Sequence, residues 1–169
     1  MASPLELFRR LTNGIYVVTA SHDRVTDGFT AAWITQVAFE PLLVAISVNP
    51  GNATWPLIRG SGGFVINVLK TGQHDLARRF GTTSGRDVDK FASVATTPGP
   101  AGEAVLSDAA AWLACRVEQE RTAGDHVLVV ARVTGGDLLD PGAIPLRYEE
   151  TGNMDGSAAL FPATWPAAR

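Results

Sequence analysis

Apolar residues in this chain come in short runs rich in β-branched side chains, each broken within a few residues by Gly, Pro, Asn or Asp. That punctuation constrains the fold more than any other feature, because the runs have the length of strands and few of them carry a helical stripe. Ile15 to Ala20 is such a run; His22, Asp23 and Arg24 form a polar tip, and the chain turns apolar again towards Phe29. From Phe29 to Phe39, Thr, Val, Ile and aromatics continue without helical period as far as Glu40-Pro41, and this is read as one long, bent strand ended by proline. Leu42 to Val48 is nearly continuous apolar, as a strand buried on both faces or closed into a barrel would be. Phe64 to Leu69 is a further strand. Trp112 to Val117 sets Leu113, Cys115 and Val117 on one face, and forms a hairpin with His126 to Val133 across Thr122 to Asp125.

Helical signals are brief. Leu5, Leu7, Phe8 and Leu11 predict an opening helix that stops at Asn13-Gly14. Ala53 to Arg59 accepts Pro56 in its first turn, and Leu76, Ala77 and Phe80 mark a helix over Gln73 to Phe80. Asp87 to Phe91 adds a helical turn, while Thr96 to Gly102, with two prolines and two glycines, reads as a connecting loop. About six strands with short helices between them suit a mainly β, closed antiparallel barrel. The 169 residues, 46% of them hydrophobic, make one domain. Its core is expected over residues 8–148, with a tail over 149–169 anchored by Phe161 and Trp165 on this chain or on a neighbouring subunit.

Composition narrows the function. A formal net charge of -3 leaves no basic excess for nucleic acid. One cysteine and three scattered histidines give neither a disulfide nor metal-ligand spacing. The start of the chain lacks a signal-peptide pattern, and no apolar run would cross a hydrocarbon core of about 30 Å, so a cytoplasmic protein without membrane contact is expected.

Seven hydrogen-bonding side chains gather in a 25-residue stretch of otherwise apolar strand and turn: Thr30, Thr35, Gln36, Ser47, Asn49, Asn52 and Thr54. They suit a planar, polyhydroxylated, phosphorylated ligand whose phosphate meets the helix start at Asn52 to Pro56. The alternative is strand threonines facing solvent above an ordinary helix cap. His126, after Gly124-Asp125, stands either at a pocket rim as donor and proton source or on the surface closing a hairpin. Arg78, Arg79, Arg86 and Lys90 form a basic cluster that reaches a phosphate or is merely solvated. Gly60, Gly62 and Gly63 follow a helix and precede a strand, the reverse of a dinucleotide fingerprint, and Cys115 reads as an inert core thiol.

In order and spacing, Leu11 to Ala20 (LTNGIYVVTA), Gly28 to Pro41 (GFTAAWITQVAFEP), Leu42 to Asn49 (LLVAISVN), Asn52 to Ile58 (NATWPLI), Ser61 to Leu69 (SGGFVINVL), Gln73 to Phe80 with Asp89-Lys90-Phe91, and Gly124-Asp125-His126 resemble the flavin reductase-like, FMN-binding split-barrel family. The resemblance implies an antiparallel, Greek-key-like split β-barrel, usually a homodimer, that passes a hydride from NADH or NADPH to FMN or FAD. In many members a monooxygenase partner takes the reduced flavin. Carried over by position, Thr30, Ala31, Ala32, Trp33, Thr35 and Gln36 resemble the wall along the flavin ring and ribityl chain. Ser47, Val48 and Asn49 with Asn52, Ala53 and Thr54 resemble the phosphate loop. Phe80, Arg86 and Lys90 resemble positions flanking the flavin, and His126 the catalytic position where nicotinamide docks. Two departures favour a second reading, an FMN-binding electron carrier without its own nicotinamide site: Trp33 stands where the family more often has a small residue, and Pro145 to Tyr148 runs on into Glu149-Glu150.

Overall fold

A computed structural model describes residues 2–165; Met1 and the end of the expected tail, 166–169, lie outside them. The elements are α1 (Pro4–Phe8), β1 (Tyr16–His22), β2 (Val25–Ala31), β3 (Ile34–Ala38), β4 (Leu43–Val48), α2 (Trp55–Ser61), β5 (Gly63–Val68), α3 (His74–Thr82), β6 (Thr96–Pro98), β7 (Ala104–Leu106), β8 (Ala111–Ala123) and β9 (His126–Leu138). Seven strands of the described residues form one antiparallel sheet in the order β2-β1-β5-β8-β9-β4-β3, and β6 pairs with β7 beside it. The fold is mainly β: a split, Greek-key-like barrel with short helices inserted between strands.

Cross-strand pairs fill the barrel interior. Val18 lies opposite Phe29 on one side and Ile66 on the other, Phe64 opposite Cys115, and Ile46 opposite Val129. Trp55 and Ile58 of α2 join the same buried cluster, so the short helix plugs the barrel. Burial of a residue such as Ile66 contributes roughly 1.5–3 kcal/mol. Val17, on the opposite face of β1, packs with Ala77 and Phe80 of α3 and with Leu69, Leu106 and Leu146 in a second cluster. Burial on both faces is why the Ile15 to Ala20 run lacks polar alternation.

The expected long strand from Phe29 to Phe39 is instead two strands with different partners: β2 pairs with β1, and β3 with β4. Ala32 and Trp33 link the two outermost strands of the sheet, so the barrel closes through the chain itself at the seam, where the described residues show no β2–β3 ladder. Thr96 to Gly102 contributes β6 to a hairpin, and Asp87 to Phe91 forms turns, not a helical turn. The β8–β9 hairpin is longer than its apolar core suggests, because ladder pairing continues through the exposed polar residues on both strands. The described part of the tail packs on its own chain: the Phe161 ring lies 5.7 Å from that of Phe8, and the Trp165 indole donates to the Ala2 carbonyl at 3.2 Å. No helix of the described residues is long and apolar enough to cross a membrane.

Candidate functional site

A polar cavity of about 300 Å³ opens where three segments meet. Phe29 and Thr30 come from β2, Gly51, Asn52 and Ala53 from the turn before α2, and Phe80 to Ser84, Arg86 and Lys90 from the end of α3 and the segment after it. Asparagines build the turn: Asn49 Oδ1 accepts from the Gly51 amide at 2.9 Å, and Asn52 Oδ1 from the Thr54 amide at 3.1 Å. These are Asx turns, which bend the chain and present the intervening backbone. Among the described residues the Ala53 amide has no hydrogen-bond acceptor. Arg86 leans over this turn, its Nη1 donating to the Gly51 carbonyl at 3.4 Å. A guanidinium beside an open backbone amide is a donor set for an anion.

An apolar groove of about 350 Å³ is lined in part by Trp33. Leu5, Phe8 and Leu11 line it from the chain start, Tyr148 and Phe161 from the chain end, and Trp33 from the β2–β3 link. Thr30 lines the polar cavity and Trp33, three residues further along the chain past the end of β2, lines the apolar groove. The His126 ring sits against the Trp33 indole at a centroid distance of 5.0 Å and an interplanar angle of 57°. Gly124, at φ +65°, supplies the left-handed residue of the two-residue β8–β9 turn and thereby brings Asp125 beside His126. His126 Nδ1 is 2.8 Å from Asp125 Oδ1, which holds the Asp125 carboxyl below the usual aspartate range. With Nδ1 engaged, Nε2 is the nitrogen left for a ligand. Tyr148 has a phenol pushed upward by burial, and its hydroxyl shares a 2.7 Å hydrogen bond with Ser157.

The structure thus gathers Thr30, Asn52, Ala53, Phe80, Arg86 and Lys90 around one cavity, with Asn49 shaping its turn. Trp33 lines the groove, and the His126 ring lies against its indole. Others sit differently. The Thr30 hydroxyl donates to the Ala77 carbonyl at 2.7 Å and is therefore engaged within the protein. Thr54 is fully buried, and its hydroxyl donates to Asp27 Oδ2 at 2.8 Å, so it is spent inside the protein. Thr35 and Gln36 are exposed on edge strand β3 and bond within their own strand, to the carbonyls of Gln36 and Ala38, while Ala31 and Val48 are buried in the barrel core. The Ser47 amide donates to the Trp33 carbonyl at 3.0 Å and fixes the link carrying the indole, and Ala32 packs beneath α3.

Sequence reasoning passed over Asp27, an acid buried in an apolar strand, where its flanks Thr26-Asp27-Gly28 were the available signal. It also did not bring Phe8, Tyr148 and Phe161 together at one groove, because they meet only through tertiary packing of the two chain ends. Among the described residues no cluster of three or more His, Cys, Asp or Glu is placed to hold a metal.

Comparison with known proteins agrees with this architecture. The NADH:FAD oxidoreductase of Streptomyces globisporus C-1027 superposes with a TM-score of 0.79 at 26% identity, over 87% of this chain and 91% of that one. An FMN-binding protein from Thermus thermophilus, solved with bound p-hydroxybenzaldehyde, gives 0.72 at 28% identity, over 76% and 73%. Diflavin flavoprotein A 6 of Nostoc sp. is 36% identical over 146 residues, 85% of this chain but 26% of that protein; the chain spans about a quarter of the length of such curated relatives. Residues 8–155 match the family model of the flavin reductase-like domain, and the chain belongs to that family.

Proposed function

We propose that this chain is a flavin reductase that binds FMN, or FAD, and draws electrons from NADH or NADPH. The observation that carries the reading is the pairing of two unlike cavities on one chain segment, a polar one lined by Thr30 and Arg86 and an apolar aromatic one lined by Trp33, whose indole His126 touches. That is the polarity profile of a phosphorylated ribityl chain joined to a flat ring. A bound flavin supplies the redox chemistry by accepting hydride from the nicotinamide. The protein supplies placement. Arg86 and the Ala53 amide hold the phosphate, the Thr30 to Trp33 backbone follows the ribityl chain, and the groove walls exclude water from the ring. His126, oriented by Asp125, presents Nε2 to orient the nicotinamide or to pass a proton.

The exposed edge side chains Val37, Phe39 and Leu42 are the surface assigned here to a second copy of the chain in a homodimer. A monooxygenase is the partner class assigned for the reduced product, and the cytoplasm the setting.

A second reading rests on Trp33, whose indole is 51% exposed yet covers His126. An indole fixed there bars nicotinamide and leaves a carrier that takes electrons from another donor. An absorbance spectrum separates the two readings. A flavin band taken up from FMN that bleaches on anaerobic NADH addition supports the reductase. A band that persists until dithionite is added supports the carrier, and failure to take up FMN or FAD removes both.

A further inference from the structure

Beneath the polar cavity lies a buried network that the proposed reaction does not use. Asp27, Lys90 and Thr54 are 6%, 3% and 0% exposed. Lys90 Nζ lies 3.1 Å from Asp27 Oδ1 and also donates to the Gly28 carbonyl, while the Thr54 hydroxyl donates to Asp27 Oδ2 at 2.8 Å. Gly85 is pressed against the same carboxylate, so closely that a Cβ there would collide with it. The three members belong to the three walls of the cavity: Asp27 to β2 ahead of Phe29 and Thr30, Thr54 to the turn after Ala53, and Lys90 to the segment that carries Arg86. A buried ion pair seldom stabilises a fold more than apolar residues of the same volume would. Its physical distinction is geometric, since two charges and a hydroxyl in low dielectric hold their partners at fixed separations.

We infer that the Asp27–Lys90–Thr54 network is the positioning device of the flavin site, fixing the gap between Arg86 and the 51–53 turn and so making the site selective for a phosphorylated flavin. The inference rests on the flavin reading above and adds to it the residues that set the selectivity. Lys90 acts through the cavity walls: its ammonium is spent on Asp27 and Gly28, and the phosphate meets Arg86 and the turn. A wall displaced by about 1 Å is enough to lose such a contact.

The test compares FMN with riboflavin, which lacks the phosphate, by fluorescence titration of the full chain. The variants are the double Asp27→Asn/Lys90→Met, which removes both charges together and leaves neither buried alone, and Thr54→Val, which deletes a single hydroxyl. Thermal melting reports whether each variant is folded, and Thr54→Val carries the test should the double variant fail to melt cooperatively. The expected result is FMN affinity lower by roughly tenfold or more in both variants, with riboflavin affinity within about twofold of wild type. A merely structural role lowers both affinities together and overturns the inference. Loss of FMN preference in the double variant with full preference in Thr54→Val also overturns it, in favour of direct contact between Lys90 and phosphate. Wild-type protein that takes up neither FMN nor riboflavin overturns the flavin reading and this inference together, whereas wild-type protein that holds FMN no better than riboflavin, or a preference kept in both variants, overturns this inference alone.

Discussion

His126 and Trp33 meet ring to ring, the imidazole at the start of β9 lying 5.0 Å from an indole on the link between β2 and β3. Neither ring is held by the ladder of the other's strand, so each can be changed without disturbing the other's backbone.

Replacing His126 with Ala is expected to lower the NADH-driven rate of flavin reduction by about 10²-fold, the lower range for loss of a positioned proton-transfer group. Flavin affinity stays within about twofold, because His126 is not among the residues that line the polar cavity proposed for the phosphate. Anaerobic stopped-flow reduction with a parallel FMN titration checks both. An unchanged rate returns the protein to the carrier reading.

Arg86→Ala is expected to weaken FMN binding by about 1.5–3 kcal/mol, the usual worth of a hydrogen bond to a charged group, and to leave riboflavin binding unchanged. Calorimetric titration with both ligands reads the difference. Equal losses would place Arg86 outside the phosphate contact.

Burial, reinforced by Glu103, pushes the Cys115 thiol up to about 12. The thiolate is therefore scarce at neutral pH, and the folded protein is expected to react with a disulfide reagent far more slowly at pH 8 than the urea-unfolded chain. Comparable rates in the two states would contradict the buried placement.

Lys70 lies between Asp108, at 2.8 Å, and Asp140, at 3.1 Å. Hydrogen bonds to these carboxylates raise the Lys70 ammonium above 10.5, and Lys70 lowers Asp108 below 3.8. A raised ammonium contributes stability that is present in full below 10.5 and lost as pH climbs through the higher folded value. A depressed carboxyl contributes stability that is present above 3.8 and lost as pH falls through the lower folded value. Urea unfolding of wild type and Lys70→Met should therefore differ most between these limits and converge beyond either. The difference should be small and should shrink with added salt, since the groups are solvent-screened. A gap that persists in acid would mean that the lysine stem, not its charge, is responsible.

How much of this was legible beforehand depends on the distance over which the information is carried. Leu76, Ala77 and Phe80 announced α3 because a helical face is written in neighbouring residues, and Ala77 and Phe80 are buried. The corner at Ala32-Trp33 was not legible, since whether Phe29 to Phe39 pairs as one strand or two is decided by β1 and β4, elsewhere in the chain. Near the site, the loop at Asn49 to Asn52 was legible from its composition, because the Asx bonds of Asn49 and Asn52 are local. Thr54 looked the same in sequence, but its hydroxyl found Asp27, twenty-seven residues away. Side-chain direction at such positions is set by tertiary partners, which no run of adjacent letters encodes.

The indole of Trp165 reaching the carbonyl of Ala2 brings the two ends of the described chain to one corner of the molecule. A polypeptide can therefore enter and leave this domain through a single point, so it suits splicing into larger proteins, tandem fusion, or circular permutation with new ends in an exposed turn such as Asp23-Arg24.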